Sequence, residues 1–258
     1  MAMLPVPAGQ RPALLQSFKE HVRDSRLGDY LRQARATVLP KYRRDAIDNH
    51  GLRLLLSFTL KEDANCIDVG AYRGGVLAEM LRVAPRGRHI AYEPLPFMYE
   101  HLRRSFPDVD IRHAAVSNQT DERSFTCVKS TPGHSGFSQR YFSQAQGLET
   151  ITVRTVTLDQ DLPADYAPAL IKIDVEGAER LVLEGALATL TRYRPIVVFE
   201  HGKGAADYYD TRPEQIYALL HDAVGLRIFD MDGNGPYTLQ QFQETFASNE
   251  HWNFVALP

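Results

Sequence analysis

A short stretch near residue 65 limits the fold of this chain more than any other feature of the sequence. Residues 66–69 are an apolar run interrupted by Asp68, and residues 70–75 contain three glycines. Residues 76–83 then place apolar side chains at helical spacing. A strand, a tight glycine turn and a helix in this order are typical of sheets whose strands alternate with helices. The stretch therefore predicts an α/β fold with a ligand-binding turn at a strand end.

The spacing of the glycines indicates which ligand this turn suits. A dinucleotide-binding turn reads Gly-x-Gly-x-x-Gly and lets the backbone approach a pyrophosphate. Here Gly70 is followed by no glycine until Gly74, and Asp68 would repel a phosphate but attract an amino group. We therefore predict that Asp68, Gly70, Ala71 and Gly74 bind S-adenosylmethionine, which carries an ammonium and a sulfonium but no phosphate. The alternative is a turn whose glycines serve geometry alone.

A second acid follows at the distance expected for a ribose contact. Glu93 closes a strand-like run at residues 89–92 and lies twenty-three residues after Gly70. A carboxylate in this position can accept hydrogen bonds from the hydroxyls of an adenosine ribose, and it can also stabilise the start of the next helix. Beyond the third strand-like run, small side chains around Ala115 and Val116 would let an adenine ring lie flat. These residues complete the predicted cofactor site.

Two later strand-like runs end in ionisable residues. The first leads into Asp174 and Glu176, and the second leads into Glu200 and His201. In an open α/β sheet, ligands bind at the carboxyl ends of the strands. These side chains are therefore expected at the same edge as the glycine turn, with Asp174 also contacting the cofactor.

Composition and charge exclude several classes of protein. A chain of 258 residues with 44% hydrophobic residues can bury the core of one full domain. A net charge of −3 argues against an extended nucleic-acid partner. There is no apolar run of membrane-spanning length and no signal-peptide pattern, and Cys66 and Cys127 have neither metal-ligand nor disulfide spacing. We therefore expect no membrane contact, no metal site and a cytoplasmic location.

Several blocks of the sequence resemble one known family. They are Ile67 to Ala71, Ala114 to Ser117, Thr157 to Asp159, Asn253 to Pro258 and, most specifically, Leu-Ile-Lys-Ile-Asp-Val-Glu-Gly-Ala-Glu at 170–179. These blocks look like those of the FkbM-type S-adenosylmethionine-dependent methyltransferases. The resemblance covers roughly Leu55 to Pro258, and Tyr72 departs from the Asn that is common in the family's glycine turn.

The resemblance implies both a fold and a reaction. The implied fold is a Rossmann-like, seven-stranded, mostly parallel sheet with an antiparallel last strand and helices on both faces. The implied reaction is methyl transfer to a hydroxyl of a small acceptor such as a sugar or a polyketide. Two alternatives stay open, namely an NAD(P)-dependent oxidoreductase on a similar sheet and a non-catalytic nucleoside-binding protein.

O-methylation requires a base, because an alcohol is a poor nucleophile until its proton leaves. We predict His201 in this role, since histidine titrates near neutral pH and this one follows a strand end beside Glu200. Asp174 and Glu200 are predicted to shape the electrostatic potential around it.

Residues 1–48 are predicted to form an N-terminal helical segment ahead of a methyltransferase domain at 49–258. Basic residues outnumber acids in this segment, and Leu14, Leu15, Phe18 and Val22 lie at helical spacing. We leave two roles open for it, a lid over the site or a contact between the copies of a homodimer.

Overall fold

A computed structural model describes residues 40–138 and 147–258 of the chain. The chain divides into two units, residues 1–50 and residues 51–258. Most of the predicted N-terminal segment, including the apolar positions at 14–22, lies outside the described residues. The first described helix is Pro40–Thr59.

The described strands form two sheets. In chain order they are β1 (Cys66–Val69), β2 (Ile90–Tyr92), β3 (Asp110–Arg112), β4 (Ala115–Val116), β5 (Asp121–Val128), β6 (Leu148–Val156), β7 (Leu170–Ile173), β8 (Ile196–Glu200), β9 (Arg227–Asp230) and β10 (Asn253–Leu257). The larger sheet has seven strands in the order β3-β2-β1-β7-β8-β10-β9. Only β10 runs antiparallel to its neighbours β8 and β9, so the predicted class I methyltransferase sheet with its antiparallel last strand is confirmed.

Helices cover both faces of the large sheet. They are α1 (Pro40–Thr59), α2 (Gly75–Val83), α3 (Pro96–Ser105), α4 (Leu158–Asp161), α5 (Glu179–Glu184), α6 (Leu187–Tyr193), α7 (Pro213–Tyr217) and α8 (Leu239–Ser248). Side chains alternate along a strand, so Ile67 and Cys66 of β1 face opposite sides of the sheet. Ile67 belongs to a core cluster with Leu183 and Phe242, and Cys66 belongs to another with Leu56 and Met80. The predicted helices on both faces are thus confirmed.

The smaller sheet has three strands in the order β4-β6-β5. β5 and β6 pair with each other in an antiparallel hairpin. One face of this sheet packs Phe125 and Val153 against Leu95 and Met98 near the start of α3. The small sheet therefore stands beside the carboxyl end of β2. Among the described helices, none is both long enough and apolar enough to cross a bilayer.

Candidate functional site

A pocket opens at the carboxyl ends of β1, β2 and β7. Five of the residues predicted as cofactor contacts line it, namely Gly70, Glu93, Ala115, Val116 and Asp174. Apolar side chains of Leu95, Phe125 and Phe137 complete one wall. The structure therefore brings together the residues of the predicted ribose and adenine contacts at a single edge of the large sheet.

Close packing explains why glycine occupies positions 70 and 74. Gly70 has φ +79°, and a Cβ there would lie 1.9 Å from the carbonyl oxygen of Asp174. Gly74 has φ +78° and precedes α2, where a Cβ would lie 2.3 Å from Phe106 Cε2. Only glycine has the left-handed freedom and the absent side chain that both positions require. Gly74 and Ala71 belong to this turn, but they are not among the residues that line the pocket.

Glu93 joins the glycine turn to the start of α3. Its Oε2 accepts a hydrogen bond from Tyr72 N (2.8 Å), and its Oε1 accepts one from Leu95 N (2.9 Å). The side chain is 4% exposed, and burial raises the pKa of Glu93 to about 7 against the opposing effect of those backbone N–H groups. Each carboxylate oxygen can still accept a further hydrogen bond from a ligand hydroxyl.

Asp68 and Lys172 are buried neighbours on adjacent strands. They are register partners on β1 and β7, so their side chains lie on the same face of the sheet. Burial raises the pKa of Asp68 to about 6, while the Lys172 ammonium opposes that shift. Asp68 is not among the residues that line the pocket, and its contact with the cofactor stays a prediction.

Asp174 is held by the same lysine. Lys172 Nζ donates to Asp174 Oδ2 at 2.6 Å. Burial disfavours the charged form of Lys172, but the attraction of Asp174, Asp68 and Glu200 outweighs it and raises the lysine pKa. A buried ammonium thus fixes the Asp174 carboxylate at the pocket wall.

Glu200 and His201 lie at the end of β8, and neither is among the residues that line the pocket. Burial, followed by the nearby Asp174, raises the pKa of Glu200 well above its usual range. His201 is 1% exposed, and its ring stacks on Phe246 and Phe242 with centroid distances of 4.7 and 5.6 Å. Burial lowers the pKa of His201 to about 4. His201 as the base stays a prediction, and its packing in an aromatic cluster gives that role no support.

A strained turn after β7 supplies a pocket residue to which the sequence pattern gave no role. Glu176 lines the pocket with φ +59°, and the next residue, Gly177, has φ +106°. The backbone N–H groups of Val175 and Gly177 both donate to Glu179 Oε1, at 3.0 and 3.1 Å. Glu179 therefore stabilises the turn through hydrogen bonds within the same segment. In the sequence, it stood out only as the last residue of the block at 170–179 that resembles the FkbM-type family.

The loop after β5 forms the remaining wall. Pro132, Gly133 and Ser135 line the pocket. Between them, His134 places its Nδ1 3.6 Å from Glu176 Oε2. The loop and the turn after β7 thus meet beside the pocket.

A second cluster of ionisable groups lies at the end of β9. Asp230, Asp232 and His251 have side-chain atoms close enough to share an ion. The Asp230 carboxylate, however, already accepts four hydrogen bonds, from the backbone N–H groups of Asp232 and Asn234 and from the side chains of Asn234 and Tyr237. These bonds close the turn at 230–234 and account for the buried acid without a metal.

Comparison with protein families identifies one match. Residues 68–224 match the family described as the Methyltransferase FkbM domain. The comparison with curated proteins gives no match.

Solved structures similar to this chain are distant in sequence. A methyltransferase FkbM from Methylobacillus flagellatus KT has 16% identity and a TM-score of 0.48, over 77% of this chain and 45% of that one. A TehB-like SAM-dependent methyltransferase from Corynebacterium glutamicum has 13% identity and a TM-score of 0.41, over 80% and 85% of the two chains. The plantazolicin methyltransferase BpumL, in complex with a triazolic desmethylPZN analogue and SAH, has 12% identity and a TM-score of 0.42, over 88% and 94%. The chain thus matches less than half of the first of these proteins.

Proposed function

Because the chain belongs to the Methyltransferase FkbM domain family, we propose that it transfers the methyl group of S-adenosylmethionine to a hydroxyl of a small acceptor. One observation carries the choice of cofactor. Among the described residues that line the pocket, the charged side chains are three carboxylates, Glu93, Asp174 and Glu176, with no lysine or arginine. Such a pocket favours a cationic ligand without phosphate over the pyrophosphate of NAD(P).

Each part of the proposed cofactor has residues that suit it. Glu93 offers carboxylate oxygens to the ribose hydroxyls, and the small side chains of Ala115 and Val116 leave room for a flat ring. Gly70 presents backbone at the pocket, and the Asp174 carboxylate beside it suits the amino group of the methionine end. These assignments follow the contacts predicted from the sequence. The Asp68 charge, beside Lys172, would add to the negative electrostatic potential near the cofactor.

Binding in this pocket would promote the reaction mainly by orientation. When bound, S-adenosylmethionine supplies a methyl group activated by a sulfonium. The protein's part is to hold the acceptor oxygen in line with that methyl, to exclude water with the apolar wall and to remove the acceptor's proton. The carboxylates at the pocket stabilise positive charge there and keep the cationic cofactor in place.

The proposed acceptor is a hydroxyl compound such as a sugar, a polyketide or a similar small molecule. Its site would lie between the loop at 132–135 and the turn after β7, which both contribute residues to the pocket lining. Nucleic acid is not the expected acceptor, because the charged residues of the pocket lining are acids and would repel a phosphate backbone. A cytoplasmic location and a homodimer remain predictions.

Calorimetry with S-adenosylmethionine, S-adenosylhomocysteine and NAD tests the proposal. We expect binding of the first two and no binding of NAD. A methyl-transfer assay with labelled S-adenosylmethionine and a panel of sugars, polyols, phenols and hydroxy acids then tests the acceptor class. NAD binding without S-adenosylmethionine binding would overturn the cofactor assignment, and methylation of amines alone would overturn O-methylation.

A further inference from the structure

We propose that Tyr209 is a positioning residue that holds Phe137 in the wall of the pocket. This inference rests on the proposed function, because it concerns the apolar wall against which the base of S-adenosylmethionine would lie. The tyrosine is half-buried at the end of a short 3₁₀ helix, Ala206–Tyr209, in the segment that follows β8. It is not among the residues that line the pocket, so it would act on a ligand through its neighbours.

Phe137 is the neighbour through which Tyr209 would act. Its ring lines the pocket and meets the ring of Phe125 edge to face, with a centroid distance of 5.3 Å. It also packs against the apolar cluster that contains Ala115, one of the predicted adenine contacts. The position of Phe137 therefore sets the shape of the pocket at the end that the adenine would occupy.

On one side of Phe137, β5 holds the chain. Gly136 and Thr126 exchange two backbone hydrogen bonds, of 2.8 and 3.1 Å. Ser135 Oγ accepts a third from Val128 N at 3.0 Å. These bonds fix the chain up to Gly136, so the orientation of Phe137 depends on what holds the residue that follows it.

On the other side, the segment after β8 holds that residue, Ser138. The Ser138 N–H donates to Tyr209 Oη at 3.1 Å, and the Ser138 hydroxyl donates to the carbonyl oxygen of Tyr208 at 3.0 Å. Tyr209 Oη also lies close to Gly136, where a Cβ would approach it to 2.8 Å. One hydroxyl thus contacts the residues on both sides of Phe137.

The ring of Tyr209 is held in turn by the turn after β7. A Cβ at Gly177 would lie 2.9 Å from Tyr209 Cδ2, so the ring packs directly on this glycine. Gly177 follows Glu176, which lines the pocket. Tyr209 therefore joins three segments around the pocket, namely the loop after β5, the turn after β7 and the segment after β8. Because protein interiors are close-packed, a shift of one of these segments is passed to the others.

Calorimetry with S-adenosylhomocysteine tests the inference without a known acceptor. Tyr209→Phe removes the hydroxyl that accepts the hydrogen bond from Ser138 N, and we expect the Kd to rise about threefold to tenfold. Tyr237→Phe is the matched control, because Tyr237 also forms a hydrogen bond through its hydroxyl, to Asp230 Oδ2 at 2.8 Å, but outside the pocket lining. This control should leave the Kd unchanged.

Hydrogen exchange locates the effect in the structure. Without the bond from Ser138 N, the loop after β5 should open more often. Peptides that cover residues 126–138 should therefore exchange faster in Tyr209→Phe than in the wild type, and Tyr237→Phe should leave them unchanged. Equal exchange in all three proteins would overturn the positioning role.

A double-mutant cycle with Gly136→Ala tests the contact itself. The added Cβ would lie 2.8 Å from Tyr209 Oη, a distance at which the two groups clash, so Gly136→Ala alone should also raise the Kd. Tyr209→Phe removes the clashing oxygen. The rise in Kd of the double variant should therefore be clearly smaller than the product of the two single rises.

The outcomes separate this inference from the proposed function. If the wild type binds S-adenosylhomocysteine and Tyr209→Phe binds it equally well, Tyr209 has no positioning role and the proposed function stands. An equal loss of affinity in Tyr237→Phe, or independent effects in the double variant, would also overturn that role. If the wild type binds neither S-adenosylhomocysteine nor S-adenosylmethionine, the proposed function itself fails and this inference fails with it.

Discussion

The turn after β1 and the turn after β7 lie side by side at one edge of the sheet, and both contain left-handed glycine and non-glycine residues, but different groups hold them in shape. In the first, Tyr72 N donates to Glu93, an acid at the end of the neighbouring strand β2. In the second, two backbone N–H groups donate to Glu179, an acid that follows within the same segment. The first turn therefore depends on a separate strand, whereas the second is held locally. The two turns approach closely at Gly70, where a Cβ would lie 1.9 Å from the carbonyl oxygen of Asp174.

That contact gives the largest expected effect. Gly70→Ala would place a Cβ 1.9 Å from the Asp174 carbonyl oxygen and would force a left-handed alanine. We expect the free energy of unfolding to fall by roughly 3 kcal/mol or more, measured by denaturant unfolding. The matched control is Gly75→Ala at the start of α2, where no atom lies within 4 Å of the added Cβ. Equal stability of the two variants would show that the two turns are not packed as described.

The second prediction addresses the base that the sequence places at His201. If this histidine takes the acceptor's proton, His201→Gln should lower kcat about a hundredfold on the acceptor identified by the panel, because a general base contributes about that factor or more. The Kd of S-adenosylhomocysteine should change less than about twofold.

Asp174→Asn supplies the competing measurement. If it removes the acidic limb of the pH profile of kcat while His201→Gln keeps that limb, the carboxylate is the base. Unchanged kcat in His201→Gln would agree with the position of His201 outside the pocket lining.

The two turns also differ in how far the sequence could predict them. The order of strand, glycine turn and helix is local, so Gly70, the position of Glu93 and the seven-stranded sheet could be predicted from periodicity, spacing and family resemblance. The turn after β7 depends on the close approach of Gly177 to the backbone of Ala205, about thirty residues away in sequence, and on hydrogen bonds to Glu179 that no periodicity encodes. His201 illustrates the same limit, because the aromatic rings that enclose it come from α8.

A third prediction concerns binding at the glycine turn. Glu93→Gln should weaken S-adenosylmethionine binding by roughly 1 to 3 kcal/mol, because the charged acceptor of the ribose hydroxyls is lost. Glu100→Gln, on the exposed face of the same region in α3, is the matched control and should leave calorimetric affinity unchanged. An unaltered Kd for Glu93→Gln would remove the ribose role and leave Glu93 as a structural link between Tyr72 and Leu95.

A fourth prediction uses pH to probe the turn after β7. Burial raises the pKa of Glu179 to about 7 in the folded protein, above the value of about 4.5 for a free side chain. The folded state therefore binds this proton more tightly, and the resulting stability is present below about pH 4.5 and is lost as pH rises towards 7. Glu179→Gln removes this titration. The difference in unfolding free energy between variant and wild type should change in the variant's favour by about 1–2 kcal/mol between pH 6 and pH 8. A constant difference would mean that Glu179 does not titrate in this range.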